Sequence, residues 1–476
     1  MRTRLLLAAA AAAAAFAAAG PAQAQSEPDP FQIGFADVLF SGEDGGRWAQ
    51  RTASSGASAV RVNVYWSIVG PHEPENPRDP ADPAYDFAAI DRAVRSADAA
   101  GLDVLMTVLS APRWAEGPYR PSFEDAPAGT WRPDAAAYGD FARAISYRYS
   151  GSYPDPLRSG LLPEVDLYSA WNEPNISAYL TPQFEDGDNA SAATYVELLN
   201  AFHDGVVAVN PDATIATGGT APFGDPEARR RTAPLEFWRE AMCLDDSLER
   251  ADFCAVPERP RFDALAHHPI SYLSSPNVPA TNPDDVTVAD FGELVELMRA
   301  AEDEGTVAPR EDDRPHQVIA PEVWWETNPP ERGGVSFRRQ ARYTALAIHL
   351  LWKKGADGVW FLQVRDAARD PADRRLSSYQ TGVYTFTGRR KPAFRAVRFP
   401  FVTTRSGPGR LSAWGRAPAD GRLLIDVKLP GRHWQREAST LVRSGEVFTE
   451  DLTVRGKALI RAHVAGVRSL TWLQRR

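Results

Sequence analysis

The sequence predicts a (β/α)8 barrel of the α/β class, followed by a small antiparallel β-sandwich. Eight mostly continuous apolar runs lie between about residues 31 and 400, and each is followed by a helical pattern or a long loop. Such unbroken runs are typical of parallel strands that are buried on both faces. Beyond residue 403 the apolar pattern changes to period two, which indicates antiparallel strands. An open, doubly wound sheet is disfavoured because no glycine-rich phosphate turn follows the first strand.

The barrel elements are predicted from the period of the apolar residues in each segment. At 84–100, for example, Phe87, Ile90, Val94 and Ala97 recur at steps of three and four and define one helical face. The predicted strands lie at 31–38, 58–65, 101–109, 165–171, 213–219, 262–268, 317–324 and 357–364. The predicted helices lie at 84–100, 134–149, 192–209, 234–242, 288–304, 336–353 and 391–397.

The C-terminal part is predicted to be a separate accessory sandwich. The segment TTRSGPG at 403–409 has the composition of a linker. In the segment RLLIDVKL at 422–429, apolar residues at every second position alternate with residues of the other face. About six short strands of this kind are expected. The predicted domains are therefore a barrel at 25–402 and a β-sandwich at 403–476.

The N-terminus reads as a secretory signal peptide over residues 1–24. Arg2 and Arg4 precede an alanine- and leucine-rich stretch that ends in a small-x-small cleavage site at Ala24. A membrane anchor is the alternative, but the run is only weakly apolar and a Gly-Pro pair interrupts it. We therefore expect a secreted protein, extracellular or periplasmic, without a membrane partner after cleavage.

Charge and cysteine content narrow the possible partners. The formal net charge is −9, which disfavours nucleic acids and anionic membranes as partners. Cys243 and Cys254 are the only cysteines, and in an exported chain such a close pair is expected to form a disulfide. A metal site would need more ligands than this pair supplies. We expect no metal, no cofactor and a monomer.

Two glutamates stand where a barrel places its chemistry, at the carboxyl ends of strands. Glu173 follows the fourth predicted strand and Glu322 lies near the end of the seventh. A neutral acid and a carboxylate anion that face each other suit glycosidic bond cleavage. Burial beside Trp171 would keep Glu173 neutral, and Arg61 on the second strand would keep Glu322 ionised. Asn172 is a candidate donor to a sugar hydroxyl.

The segment WNEPN at 171–175, the glutamate late in the seventh strand and the arginine in the second strand resemble clan A glycoside hydrolases. The segment WWETNPP at 324–330 and the residues after it look like exported bacterial members near families 5 and 39. The resemblance covers about residues 31–400. It implies Glu173 as acid/base, Glu322 as nucleophile, retention of anomeric configuration and no metal. Pro321 stands where many relatives have threonine, so Glu326 remains an alternative nucleophile.

Aromatic and polar residues near the predicted strand ends are candidate sugar contacts, because sugar rings stack on aromatic platforms. Each could instead pack the barrel against its helices. Of the pair His267 and His268, alternation lets only one face the site, and the resemblance favours His268. The candidate substrate-binding residues are Arg61, Asn172, Trp66, Trp114, His268, Trp324 and Gln363.

The predicted function is an exported retaining β-glycosidase that acts on an oligo- or polysaccharide, with its two carboxyl groups about 5 Å apart. A carbohydrate-binding protein without catalysis is one alternative, although both glutamates are present. A transglycosylase that uses the same residues with a sugar acceptor is the other. The sandwich could bind sugar through Trp414, Trp434 or Trp472, or it could support the barrel, which we favour. The sequence does not identify the sugar or distinguish exo from endo action.

Overall fold

The computed structural model describes residues 31–475 except 123–124, 187, 226–229, 311 and 369–378. The predicted signal peptide and its cleavage site lie outside the described residues. In the part of the chain that is described, no helix has both the length and the apolar character needed to cross a bilayer.

Eight parallel strands close into a barrel, as predicted. The strands are β1 (Gln32–Ala36), β2 (Ala59–Tyr65), β3 (Asp103–Leu109), β4 (Leu167–Ala170), β5 (Thr214–Thr217), β6 (Ala264–Ala266), β7 (Gln317–Val323) and β8 (Gly358–Leu362). Their order around the barrel is β1-β8-β7-β6-β5-β4-β3-β2, and every neighbouring pair is parallel. The carboxyl ends of all eight strands therefore meet at one mouth.

Helices separate the strands at the predicted places, and two helices that were not predicted are present as well, Gly45–Ala53 between β1 and β2 and Trp66–Val69 directly after β2. Asp134 and Ser336 cap two of them by accepting backbone N–H bonds, which satisfies otherwise free donors. The helices are α1 (Gly45–Ala53), α2 (Trp66–Val69), α3 (Ala88–Asp98), α4 (Ala135–Arg148), α5 (Ser191–Val207), α6 (Pro234–Ala241), α7 (Phe291–Asp303), α8 (Phe337–Lys353) and α9 (Pro392–Arg398).

Trp360 of β8 fills the inside of the barrel. It packs with small and aliphatic side chains, including Ala59, Ala216 and Ile319, in a cluster distinct from the shell of helix contacts. Gly34 on the neighbouring β1 makes this possible, because a Cβ there would stand 2.1 Å from the indole. The interior is thus a packed core rather than a channel, as is usual for this fold.

The C-terminal residues form two antiparallel sheets. The strands are β9 (Phe401–Gly407), β10 (Arg410–Arg416), β11 (Gly421–Lys428), β12 (Gln435–Val442), β13 (Val447–Thr453), β14 (Ala458–Val464), β15 (Val467–Arg468) and β16 (Trp472–Gln474). The first sheet has the order β9-β10-β13, and the second has the order β12-β11-β14-β15, with β16 paired to β14. The predicted sandwich is confirmed with eight strands instead of about six.

The prediction of a linker at 403–409 was wrong. Most of this segment lies in β9, where its backbone pairs with β10, and the rest forms the turn between the two strands. Composition misled the interpretation, because Ser, Gly and Pro also occur at the end of an edge strand and in its turn.

Aromatic packing joins the sandwich to the barrel. The Trp414 ring of β10 lies 4.8 Å from the His349 ring and 5.4 Å from the Trp352 ring of α8, measured between centroids. Trp414 and Trp472 are buried, so neither is available as a sugar platform, whereas Trp434 is partly exposed. This contact supports the structural role favoured for the sandwich.

The disulfide expected from the sequence is present. Cys243 and Cys254 are bonded, with their Cα atoms 5.3 Å apart. The bond closes a short loop that follows α6 and leads toward β6.

Candidate active site

The backbone turns sharply where β4 ends. Trp171 and Glu173 both have left-handed backbone angles, with φ of 74° and 41°, a conformation that costs about 1–3 kcal/mol for residues with a side chain. Hydrogen bonds hold it. The Trp171 N–H donates to the carbonyl of Val108 and to the Tyr138 hydroxyl, and its indole N–H donates to the carbonyl of Tyr179. The turn redirects the chain so that consecutive side chains reach different partners.

Asn175 ties this turn to the loop after β5. Its side-chain NH2 donates to the carbonyls of Ala221 and Thr232 at 3.1 and 2.8 Å, and its Oδ1 accepts from the Ala221 N–H at 2.8 Å. The carbonyl of Pro174 accepts from the Gln183 side chain at 2.9 Å. The loop that carries Glu173 is therefore fixed on both sides before any substrate arrives.

Arg61 is the centre of the site. It extends from β2 and is almost fully buried, so its donors require partners. Four side chains from four other strands or strand ends surround it. Its donors lie 3.0 Å from Thr107 Oγ1, 2.6 Å from Asn172 Oδ1, 3.2 Å from His268 Nε2 and 3.3 Å from Glu322 Oε2.

The arginine fixes the tautomer of His268. Arginine carries only donors, so Nε2 of His268 must accept and its Nδ1 must carry the hydrogen. That Nδ1 lies 2.8 Å from Oε1 of Glu173, so it donates to the carboxyl group. Burial and, to a smaller extent, the charge of Arg61 lower the pKa of His268 to about 3, although Glu322 opposes the shift. A neutral histidine therefore links Glu173 to Arg61.

Glu173 has the environment of a general acid. Burial raises its pKa from 4.5 to about 7, while Arg61 and Arg231 oppose the shift. Its Oε1 accepts from His268 in either protonation state, so the proton of the acid form belongs on Oε2. An acid with a pKa near neutrality and one defined protonated oxygen is suited to protonate a leaving group.

Glu322 and Glu326 lie in different surroundings. Glu322 belongs to β7, pairs with Arg61 at 3.3 Å, and its side chain is 20% exposed. Glu326 is buried beyond the strand, where it accepts from the Gln380 backbone N–H, near the charge of Lys391. Only Glu322 shares the Arg61 cluster with the residues around Glu173.

The expectation that Trp66 contacts substrate is wrong. Trp66 is fully buried between Tyr138 and Phe141, with ring centroids 5.6 and 5.5 Å away. Trp114 packs edge-on against it at 5.4 Å and donates its indole N–H to the Gly70 carbonyl at 3.0 Å. Trp114 is only partly buried, so its contact with substrate stays a prediction.

Trp324 lies in an aromatic row beside the site. Its ring meets the Tyr272 ring edge-on at 5.5 Å, and Tyr272 stacks on Phe223 at 5.8 Å. Gln363 follows β8 with a φ of 65°, and its Oε1 accepts from the Thr381 hydroxyl at 2.8 Å. Both positions fit their predicted place near the mouth, and their contact with a ligand stays a prediction.

Three further residues near the two carboxylates were not identified from the sequence. Glu173, burial and Glu322 all raise the pKa of the Tyr179 phenol, so the phenol lies within electrostatic range of both carboxylates. The charge of Arg231 acts on Glu173 and on Tyr272. Tyr272 follows His268 by four residues, a weak signal. Tyr179 and Arg231 lie in loops with no pattern that marks them.

Within the described residues, no group of three or more histidine, cysteine, aspartate or glutamate side chains is arranged to hold a metal ion. The arrangement consists of two carboxylates joined through a neutral histidine and a buried arginine, with aromatic rings beside them.

Comparisons with known proteins give structural similarities only. No protein-family model and no curated protein matches the chain. A glucosidase from Croceicoccus marinus is 13% identical over 92% of this chain and 94% of that chain, with a TM-score of 0.47. The GH5_18 protein from Streptomyces cattleya in complex with GlcNAc is 16% identical over 78% and 79%, with a TM-score of 0.48. A GH30 endoxylanase from Clostridium papyrosolvens is 11% identical over 92% and 96%, with a TM-score of 0.46. At these scores the barrel assignment rests on the strand pairing itself.

Proposed function

We propose that this protein is a retaining β-glycosidase in which Glu173 is the acid/base and Glu322 the nucleophile. The observation that carries the proposal is the connection between the two carboxylates. His268 donates to Glu173, Arg61 donates to Glu322, and Arg61 also donates to His268. The acid and the anion are held in one preorganised unit.

In the first step, the Glu322 carboxylate attacks the anomeric carbon while the bond to the leaving oxygen breaks. Glu173 gives its Oε2 proton to that oxygen. Arg61 keeps a positive charge against Glu322 until attack. Asn172 Oδ1 accepts from Arg61 at 2.6 Å, which leaves its NH2 group to donate to a sugar hydroxyl. The product of this step is an ester between the sugar and Glu322.

In the second step, Glu173 acts in the opposite sense. As a carboxylate it takes a proton from water, and the oxygen of that water attacks the anomeric carbon and releases Glu322. His268 keeps its hydrogen on Nδ1 throughout, because Arg61 occupies Nε2. Two inversions give net retention of configuration.

The proposal is tested by incubating the protein with a panel of aryl β-glycosides and polysaccharides and following the product anomers by proton NMR. We expect hydrolysis of at least one β-glycoside, with the β-anomer released first and the α-anomer appearing only by mutarotation. Release of the α-anomer first would refute the double displacement.

A fluorinated, mechanism-based glycoside separates this proposal from a silent binding protein, because only an active nucleophile becomes covalently labelled. Product analysis at high sugar-acceptor concentration separates hydrolysis from transglycosylation. Disaccharide products in place of free sugar would support the transglycosylase.

A further inference from the structure

One surface of the C-terminal sandwich has a charge opposite to that of the whole chain. In the second sheet, Leu423, Ile425 and Val427 of β11 are buried in the hydrophobic core. The alternate residues of β11 and their paired neighbours therefore point outward. We call this surface the outer face. Its paired members are Arg422, Leu424, Asp426, Lys428, Arg436, Ser439, Leu441, Leu459, Arg461, His463 and Arg468.

The outer face is cationic. It carries four arginines and one lysine against a single carboxylate, Asp426, in a chain whose formal net charge is −9. Glu437, the unpaired residue where the register shifts in β12, adds one more carboxylate at its edge. The cations extend from Arg422 to Lys428, six residues or about 20 Å along one strand. This separation suits a polymer better than a small anion.

At the centre of the outer face, basic side chains surround the carboxylate of Asp426, a residue of the same sheet. Arg436 donates to Asp426 at 2.8 Å, Arg461 at 3.3 Å, and His463 lies 3.0 Å away. Burial opposes ionisation of Asp426, but these three neighbours together hold its pKa below its usual value. The guanidinium group of arginine can donate two parallel hydrogen bonds, which match the planar geometry of a carboxylate. Arg422, Lys428 and Arg468 lie around this central group and form no ion pair with it.

Apolar groups interrupt the charges. Leu441 is 69% exposed, and the ring of Trp434 lies over the Arg461 guanidinium, 4.0 Å from its carbon. Trp434 is partly exposed, unlike Trp414 and Trp472, which fill the core. An aromatic ring among arginines offers both a platform for a sugar ring and donors for its carboxylate.

We infer that the outer face is a docking surface for a uronate-containing polysaccharide. Cations outside the Asp426 group are spaced along the sheet, carboxylate is the group that the face already accommodates, and Trp434 provides a ring surface. Duplex DNA fits less well, because its one charge per about 1.7 Å would be repelled strongly by the acidic remainder of the chain.

The test measures binding by the full chain, without requiring turnover. All proteins carry Glu322→Ala, so that cleavage does not alter the ligand. The probe is polygalacturonate and the neutral control is dextran, with dissociation constants measured by titration calorimetry at low and high salt. We expect binding to polygalacturonate that weakens with salt, and none to dextran.

Two triple variants make the same change in net charge at different places. The face variant is Arg422→Glu/Lys428→Glu/Arg468→Glu, which leaves the Asp426 group intact. The matched control, Arg47→Glu/Arg92→Glu/Arg158→Glu, replaces exposed arginines around the barrel. We expect the face variant to lose affinity by about tenfold or more and the control to change it little, since exposed charges act over about a Debye length. Glutamine replacements at the three face positions should give a smaller loss in the same direction.

Several results would overturn the inference. Equal loss in both triple variants would mean that net charge alone governs binding. Absence of binding to polygalacturonate would remove the ligand. Tighter binding to dextran sulfate, duplex DNA or anionic phospholipid vesicles at the same ionic strength would assign the face to that partner instead. Trp434→Ala should weaken polygalacturonate binding several-fold without a change of charge, and an unchanged affinity would contradict the sugar contact.

Discussion

Raising the pH through 7 should remove the proton that Glu173 is proposed to donate. Burial raises its pKa to about 7, so about half of the molecules carry the proton at pH 7 and about one in a hundred at pH 9. With an ordinary value of 4.5, only about 0.3% would carry it at pH 7. For substrates whose leaving group must be protonated, kcat/KM should therefore fall about tenfold for each pH unit above 7.

The assay is kcat/KM from pH 4 to 10 with two β-glycosides, one with an alkyl and one with a dinitrophenyl leaving group. For the alkyl substrate, kcat/KM should begin to fall near pH 7 as the pH rises, and we call this fall the alkaline limb of the profile. Glu173→Ala should lower its turnover by about 10²–10⁴-fold and abolish the limb, while formation of the intermediate from the dinitrophenyl substrate is spared. Equal loss on both substrates, or a limb unchanged in the variant, would refute the acid assignment.

The same group predicts a change of stability that does not depend on activity. Between pH 4.5 and 7 the folded state holds the Glu173 proton and the unfolded state does not, so this residue lowers the stability as pH rises through that window. The full effect is about 3 kcal/mol. Glu173→Gln should gain about that much over the wild type between pH 4 and pH 8 in chemical denaturation. A constant difference across this range would contradict the raised pKa.

Three further predictions concern other parts of the molecule. Free-thiol titration of the denatured, unreduced protein should find no thiol, and replacing Cys243 and Cys254 by serine should lower the unfolding free energy by about 3 kcal/mol; two reactive thiols would contradict the bond. Trp414→Ala should destabilise the protein by about 3–5 kcal/mol in denaturant titrations, because it removes the ring packed on α8, and should leave KM unchanged; a changed KM with unchanged stability would contradict the structural role. His268→Phe should move the alkaline limb to higher pH, since it removes the donor that favours the Glu173 carboxylate; a downward shift would contradict that hydrogen bond.

The periodic parts of the fold could be predicted because each strand and helix carries its own pattern. The run at 101–109 is mostly apolar and became β3, and the stripe of Ile90, Val94 and Ala97 became the buried side of α3. The predicted alternation of side-chain directions is also seen directly after β6. His268 contacts Arg61, while His267 points to the other side, where it bonds to Thr220.

The site was predictable only as far as strand ends are predictable. Glu173 and Glu322 could be placed at the mouth from the ends of two apolar runs. The sequence favoured Glu322 over Glu326 because the apolar run ends nearer Glu322, and the structure shows that β7 ends at Val323, before Glu326. The bond from His268 to Glu173 could not be predicted, because it depends on backbone angles at Trp171 and Glu173 that no sequence pattern marks.

The aromatic candidates show the limit of sequence reasoning most clearly. Trp66 and Trp114 both follow predicted strands, and the pattern treats them alike. Trp66 is buried between Trp114 and helix α4, and only the three-dimensional packing reveals this difference between the two tryptophans. Tyr179, which interacts electrostatically with both carboxylates, lies in a loop, and loops have no period that predicts the direction of a side chain.

The most direct test of the central claim is azide rescue of the proposed nucleophile. Glu322→Ala should abolish turnover of an activated β-glycoside, because no glycosyl ester can form. Added azide should restore product as the α-glycosyl azide, since the small anion attacks from the vacated side. Glu326→Ala, buried away from Arg61, should keep the retaining mechanism and give no azide product. A Glu322→Ala protein that stays active, together with a dead and azide-rescued Glu326→Ala, would contradict the account.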